Sequence, residues 1–350
     1  MTGRRDSTDA LGMAGLGAPL RYLSARDVES LLPPVADRLA LARRAMVALV
    51  ADAELPPKIG VHPRPDASFA HAMPALLRGP ARDGSRDLLG IKWVSGFPGN
   101  DGREVARIHG TVILDDPRSG VPLAFIDAGP VTAHRTAAVS GVALGAWRDH
   151  VVRRVRGRTV NVTLVGAGVQ AASHLPVLAH VMPGARVTVH DRHPERARSL
   201  AEHAGEIRAF AAIRAVDALE DAVSGADVVL TMVSFGAEHQ RVDVKLFAAA
   251  VLIIAVDYDM CVPAAVARDA RPFVVDEAGQ FLATRAAGTF AGYPDPAATL
   301  GQVLLEPASG VPGDGPVLVT HLGVGLADLV FADAILRAAE QAGVGVELPR

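Results

Sequence analysis

The chain is poor in three things, and each shortage excludes a class of protein. Among 350 residues there is a single cysteine, Cys261, so no disulfide can form within the chain and a reducing, cytoplasmic setting is expected. Long apolar runs are missing too. The longest, through Ala248 to Val256, is too short to cross a bilayer, so no membrane role is expected. Excess charge of either sign is also lacking: the net charge of −3 gives no general attraction to nucleic acid. Arg4-Arg5 near the start has no sustained apolar stretch behind it, so an export signal is not expected and residues 1–20 read as a frayed tail. No His/Cys pattern has metal-ligand spacing, so no metal is expected, and no Gly-x-Ser-x-Gly elbow points to acyl transfer.

What is present describes a well-buried globular protein. Half of the residues are apolar and 21% are charged, and the length suggests two domains rather than one core. The organising stretch runs from Thr159 to Ala171: a β-branched strand (Val160, Val162, Val165) leads into Gly166-Ala-Gly168-Val-Gln170-Ala171 and then a helical pattern. In a strand–turn–helix context the first glycine makes the tight turn. The second lets a pyrophosphate approach the backbone, and the small third residue lets the helix pack on the strand. A second strand ends at Asp191, 25 positions after Gly166, near the spacing of an acid that meets the adenosine ribose hydroxyls. A carboxylate there repels a 2′-phosphate, so NAD is favoured over NADP, although Arg192 beside it weakens that preference. The alternative is a glycine turn in a purely structural β-α unit.

Around this stretch the period of the sequence changes. Ser24-Ala-Arg-Asp27 reads as a capping box opening a helix that Pro33-Pro34 interrupts, and residues 35–50 repeat apolar side chains at helical spacing. Strands are expected at 68–77, 88–95, 108–114 and 122–126, the last two flanking a hairpin loop at 115–120, which makes a mostly antiparallel sheet. A long helix from about 131 to 149 then bridges to strands expected at 186–190, 227–232, 251–256 and 272–275 with helices between them. A last strand at 317–320 precedes a terminal helix, 323–342, that returns to the first domain. The expected organisation is α/β, with a Rossmann dinucleotide-binding domain (151–317) inserted between the two parts of an α+β substrate and dimerisation domain (21–150 and 318–350).

Several residues could carry chemistry. Lys92 interrupts an apolar strand, where a charge is costly unless it is paired or meets a ligand; a substrate carboxylate would satisfy it, and so would an internal ion pair. Arg135 in Thr132-Ala-His-Arg135-Thr136-Ala137 is either a second such cation or ordinary helix-surface charge. Lys58 follows two prolines and could equally be a solvated loop residue. His62, His71, His109 and His134 are unspecific. Asp257 and Asp259 follow the strand at 251–256, at its carboxyl end, where ligands sit in an open parallel sheet, and could relay a proton during hydride transfer. One of them could instead cap the next helix.

Four ordered motifs give a family resemblance. Lys92-Trp-Val-Ser-Gly-Phe-Pro98-x-Asn100, Arg135-Thr-Ala-Ala, Gly166-Ala-Gly-Val-Gln170 and Leu322-Gly-Val-Gly-Leu-Ala-Asp328 together resemble the ornithine cyclodeaminase/mu-crystallin family over residues 35 to 345. The resemblance implies a homodimer acting on a small amino acid or cyclic imine. In it, Lys58, Lys92, Arg135, Asp259 and Leu322 line the substrate, with Asp259 and Lys92 catalytic. Arg135, Thr136, Gly166, Gly168, Val169, Gln170, Asp191, Arg192, Val233, Asp257 and His321 line the cofactor. The activity the resemblance implies first is ornithine cyclodeamination to proline and ammonia; the alternatives are ketimine or imine reduction, amino-acid dehydrogenation, and ligand binding without catalysis. The sequence also departs from the family at Lys58 (arginine in many members), at Arg107, at His321 (a small polar residue elsewhere) and in the loop from Thr231 to Ala237.

Overall fold

A computed structural model describes residues 19–65, 67–80, 86–100, 105–235, 239 and 242–350. The expected tail lies outside these residues up to 18, and Leu20 already belongs to a strand. The described residues form two eight-stranded sheets. The first runs, in order, Val346–Leu348, Leu20–Leu23, Pro122–Asp127, Ile108–Asp115, Leu88–Gly96, Phe69–Leu77 and Ala53–Glu54, with Ile59–Val61 also paired to Phe69–Leu77. All its pairings are antiparallel except Leu20–Leu23 with Pro122–Asp127. The second sheet is parallel throughout, in the order Ala212–Ala215, Arg186–His190, Asn161–Val165, Val228–Thr231, Leu252–Ala255, Val317–Thr320, Phe273–Val275 and Ala298–Thr299.

The expected elements form for the reasons their sequences give. Ser24 and Asp27 make the reciprocal capping box of the helix Ala25–Ser30. The strand Leu88–Gly96 alternates buried and less buried residues, as one covered face requires. The bridging helix is longer than its periodicity suggests, Ala128–Arg154, capped by Asp127 and closed by Arg153 and Arg154. Its residues from Ala128 to Leu144 are almost all buried because it is packed on several sides, by Val35–Ala48, Val169–Val181 and Ile108–Asp115. A helix buried all round carries no polar stripe, so its ends are hard to read from period alone.

Two features depart from the expected organisation. Val317–Thr320 is a central strand of the parallel sheet, so the chain leaves that lobe after Thr320 rather than at 318. The helix Gly325–Ala342 then packs on Val35–Ala48 and on the strand Leu88–Gly96, returning to the first lobe. The short strands Leu20–Leu23, Val346–Leu348 and Ala212–Ala215 were not expected, since three or four residues give no alternation to read.

Candidate functional site

The crevice lies where the order of the parallel strands reverses, beside Asn161–Val165. Gly166 takes φ +106, and a Cβ there would meet the Met232 carbonyl oxygen at 2.7 Å, so glycine is required. Gly168 is different: a Cβ there would meet nothing within 4 Å, so its smallness serves the space in front of it rather than the packing behind. The helix Val169–Val181 begins there without a side-chain cap, so its first amides are donors for an anion. Val169 on its first turn is 73% exposed. Asp191 lies against the turn, accepting from Ala167 N at 2.8 Å and from His193 N at 2.9 Å, and Arg192 beside it is exposed. Three buried polar atoms, Gln170 Oε1 in the first turn of the helix Val169–Val181 and Thr320 Oγ1 and His321 Nδ1 at the carboxyl end of Val317–Thr320, have no hydrogen-bond partner in the protein. An open glycine cradle, uncapped amides and orphaned polar atoms fit a dinucleotide.

Cations from the first lobe meet beside this crevice. Lys92 places Nζ 2.7 Å from Asp328 Oδ2, and Arg135 donates from Nε to Asp328 Oδ1 at 2.8 Å, all three being nearly fully buried. The internal ion pair that could account for Lys92 is therefore real. It does not neutralise the cluster, because Lys58 joins it, donating to Tyr258 OH at 2.8 Å and to the Leu322 carbonyl at 2.5 Å. Burial pushes Lys92 down to about 7 despite the pull of Asp328, and Lys58 down to about 8 despite Asp276. Burial acts to raise Asp328, yet Arg135 and Lys92 outweigh it and hold the carboxyl below its ordinary range. Lys92 and Arg135 share the single carboxylate of Asp328, and the half-buried Lys58 adds a third cation beside them, so the cluster can accept a ligand anion.

The face of the first sheet that carries Lys92 also carries His71, since Met73 pairs with Lys92 and His71 with Val94. Burial, then Lys58, His62 and Lys92, push His71 down to about 4, so this ring is neutral.

The two aspartates after Leu252–Ala255 separate in role. Asp257 is buried, with Oδ1 accepting from the Thr231 hydroxyl at 2.7 Å and Oδ2 from Val233 N at 3.0 Å. Burial raises it to about 6 against those bonds and the Cys261 thiol. Its oxygens join two strand ends, and Val233 is held by the same side chain. Asp259 accepts from Phe290 N at 3.1 Å through Oδ2, while Oδ1 lies 3.5 Å from His239 Nε2. Between them Tyr258 sits at φ +59, with its ring against Phe235 and Phe290 and its hydroxyl on Lys58. The residue before Asp259 thus ties this strand end to the cation cluster.

Arg107 reaches across from the first lobe to the Ser234 hydroxyl at 2.9 Å, while residues 236–237 of that loop lie outside the described ones. Thr136 is buried beside Arg135. His62 and His109 are exposed, and His134 pairs with Arg38 and Glu29. Among the described residues no group of His, Cys, Asp and Glu could hold a metal ion.

Sequence reasoning missed Asp328 as a site residue, and with it Asp276, Tyr258, Ser140 and His174. Asp328 had a signal: an acid in an apolar helix, Leu326-Ala-Asp-Leu-Val330, demands a buried cation. Asp276 follows a parallel strand, as Asp257 does. Ser140 and His174 belong to two different helices, and only the fold brings them together.

The family model for the ornithine cyclodeaminase/mu-crystallin family matches residues 23–291, and the chain belongs to that family. It is 31% identical over 337 residues to the nodulation efficiency protein NfeD of Rhizobium meliloti, covering 94% of this chain and 98% of that protein. A shorter match, 32% over 154 residues, joins it to the ketimine reductase mu-crystallin of Rattus norvegicus, over 44% of this chain and 45% of that one. The fold is that of the Thermococcus litoralis Δ1-pyrroline-2-carboxylate reductase, a structure in complex with NADH and L-proline, with a TM-score of 0.76, 21% identity and coverage of 94% and 100%.

Proposed function

We propose that the protein is an NAD-dependent enzyme acting on the C–N bond at the α-carbon of a small amino acid or its imine. The observation that carries this reading is the meeting of Lys58, Lys92 and Arg135 beside an intact dinucleotide cradle. Lys58, Lys92 and Arg135 hold the substrate carboxylate and so fix where the α-carbon lies, with Asp328 keeping the two inner cations in place. Asp259 moves a proton to or from the substrate nitrogen, held in place by the Phe290 amide. A bound nicotinamide dinucleotide supplies or takes the hydride, which no side chain can do. Asp191 against the glycine turn disfavours a 2′-phosphate and supports NAD.

Within this class the geometry best supports reduction of an α-imino acid, as in ketimine reduction. The sheet face beside Lys92 offers the neutral His71 rather than an acid. Beyond Asp259 the described site has no unengaged carboxylate to hold a second ammonium. A cyclic imine with one carboxylate needs no more than is there. Cyclodeamination of L-ornithine is the second reading, supported by the family membership and by Asp259. The test supplies a cyclic ketimine carboxylate with NADH in one arm and L-ornithine with NAD in the other. Loss of NADH in the first arm supports the reductase; proline and ammonia in the second support the cyclodeaminase. Turnover in neither arm, with the dinucleotide bound, favours a ligand-binding protein. Asp259→Asn is expected to keep dinucleotide affinity and lose turnover by about a hundredfold or more, since a general acid–base contributes roughly 10²–10⁴. Unchanged kcat in that variant would remove Asp259 from the mechanism.

A further inference from the structure

A chain of three buried side chains runs from the glycine-turn helix to the end of the strand Val317–Thr320. His174 Nδ1 lies 2.6 Å from the Gln170 carbonyl oxygen, His174 Nε2 lies 2.8 Å from Ser140 Oγ, and Ser140 Oγ lies 2.9 Å from His321 Nε2. Both rings and the serine are nearly or fully buried. The proton positions follow from the end of the chain. A carbonyl oxygen can only accept, so His174 carries its proton on Nδ1 and Nε2 is an acceptor. Ser140 therefore donates to His174, and its oxygen accepts from His321 Nε2–H. That leaves His321 Nδ1 with a lone pair, and this atom is buried with no partner in the protein. The chain cannot conduct a proton outward, because it ends on a carbonyl. It fixes a tautomer instead.

We infer that Ser140 and His174 lock His321 as a hydrogen-bond acceptor, and that Nδ1 takes an N–H of the primary carboxamide of a bound nicotinamide. The inference rests on the dinucleotide reading and deepens it. Three observations direct the choice of donor. His321 stands at the carboxyl edge of the parallel sheet, just before Leu322, whose carbonyl receives Lys58. The lock is anchored on Gln170, in the first turn of the cradle helix, whose own Oε1 is also an orphaned acceptor. The electrostatic surroundings favour a neutral donor over an ammonium: burial, then His174, Arg135 and Lys58, all press against positive charge on His321. A carboxamide is a neutral N–H donor. Ser140 and His174 are on this view positioning residues, acting only through His321.

The experiment compares NADH with the reduced 3-acetylpyridine dinucleotide, which keeps the ring carbonyl and lacks the amide N–H. With the wild-type protein, the analogue is expected to bind weaker by on the order of tenfold, because Nδ1 is left buried and unpaired. In Ser140→Ala the lock is broken, His321 is free to carry its proton on Nδ1 and donate to the ring carbonyl, and the preference should fall to within about threefold. His174→Gln, whose side-chain oxygen can accept from Ser140, should keep the wild-type preference, whereas His174→Leu should lose it. Equal binding of both dinucleotides by the wild-type protein overturns the inference while leaving the dinucleotide reading intact. Binding of neither overturns both. An unchanged preference in folded Ser140→Ala also overturns the lock. The wild-type comparison stands even if a variant fails to fold.

Discussion

Lys92 and Lys58 give folding and ligand binding opposite responses to pH. Both have folded values below the ordinary 10.5, at about 7 and about 8. The unfolded chain therefore binds more protons than the folded one above about 7, and their contribution to stability of the ligand-free protein grows as pH rises from there toward 10.5. A ligand carboxylate needs the protonated forms. Its affinity is expected to fall as pH rises through about 7 and then about 8, by up to about tenfold per pH unit for each lysine that must be recharged. Titration calorimetry with a small imino-acid or amino-acid inhibitor at a series of pH values measures this. Affinity that is flat across the window would mean the lysines do not hold the carboxylate. At this scale the sequence was informative where a residue type was out of place, as with a lysine in an apolar strand. It could not distinguish an internal ion pair from a ligand site, because the residue type is the same in both; the structure shows the ion pair with Asp328.

At the scale of elements, the strand–turn–helix at 161–181 holds two glycines with different duties, and the difference is testable. Gly166→Ala places a methyl 2.7 Å from a backbone carbonyl at φ +106, so the turn must open and the protein should lose about 1–3 kcal/mol, read as a lower melting temperature. Gly168→Ala meets nothing in the protein. Its melting temperature should stay near that of the parent while dinucleotide affinity drops by tenfold or more, on the order of the steric cost of a methyl against a phosphate. If Gly168→Ala binds NADH as well as the parent, the cradle is not where the pyrophosphate sits. Elements of this kind were legible because strand period, glycine spacing and helix period agree. The helix Ala128–Arg154 was found but cut short, since a helix surrounded by other elements has no amphipathic boundary.

At the scale of the molecule, both ends of the chain complete one site. Asp328, from the terminal helix, pairs with cations set before the parallel sheet begins, and Leu322 receives Lys58 across the lobes. Among the described residues, part of one face of the first sheet is left exposed. Ile59 pairs with Ala72 and Ala72 with Trp93, which puts Ile59 and Trp93 in one cross-strand row, with Val61 on the same face; they are 65%, 46% and 57% exposed. An apolar patch of that kind marks an association surface. The homodimer expected from the resemblance would bury it, and light scattering should give twice the chain mass. Trp93→Arg should shift the protein toward monomer without changing the fold of either lobe. A wild-type monomer at all concentrations would overturn the expected dimer.

The sequence alone determined the class of fold and the location of the nucleotide crevice, because local signals set both: period, turn chemistry and an acid at the end of the next strand. It also singled out Lys92, Arg135 and Asp259 through residue type and motif. Only the tertiary structure decided which charges meet. Asp328 on Lys92 and Arg135, Asp257 on the Thr231 hydroxyl, and the Ser140–His174 contact that sets the tautomer of His321 join residues far apart in the chain. Such contacts depend on packing between elements, and no local pattern encodes the distance between two side chains on different helices.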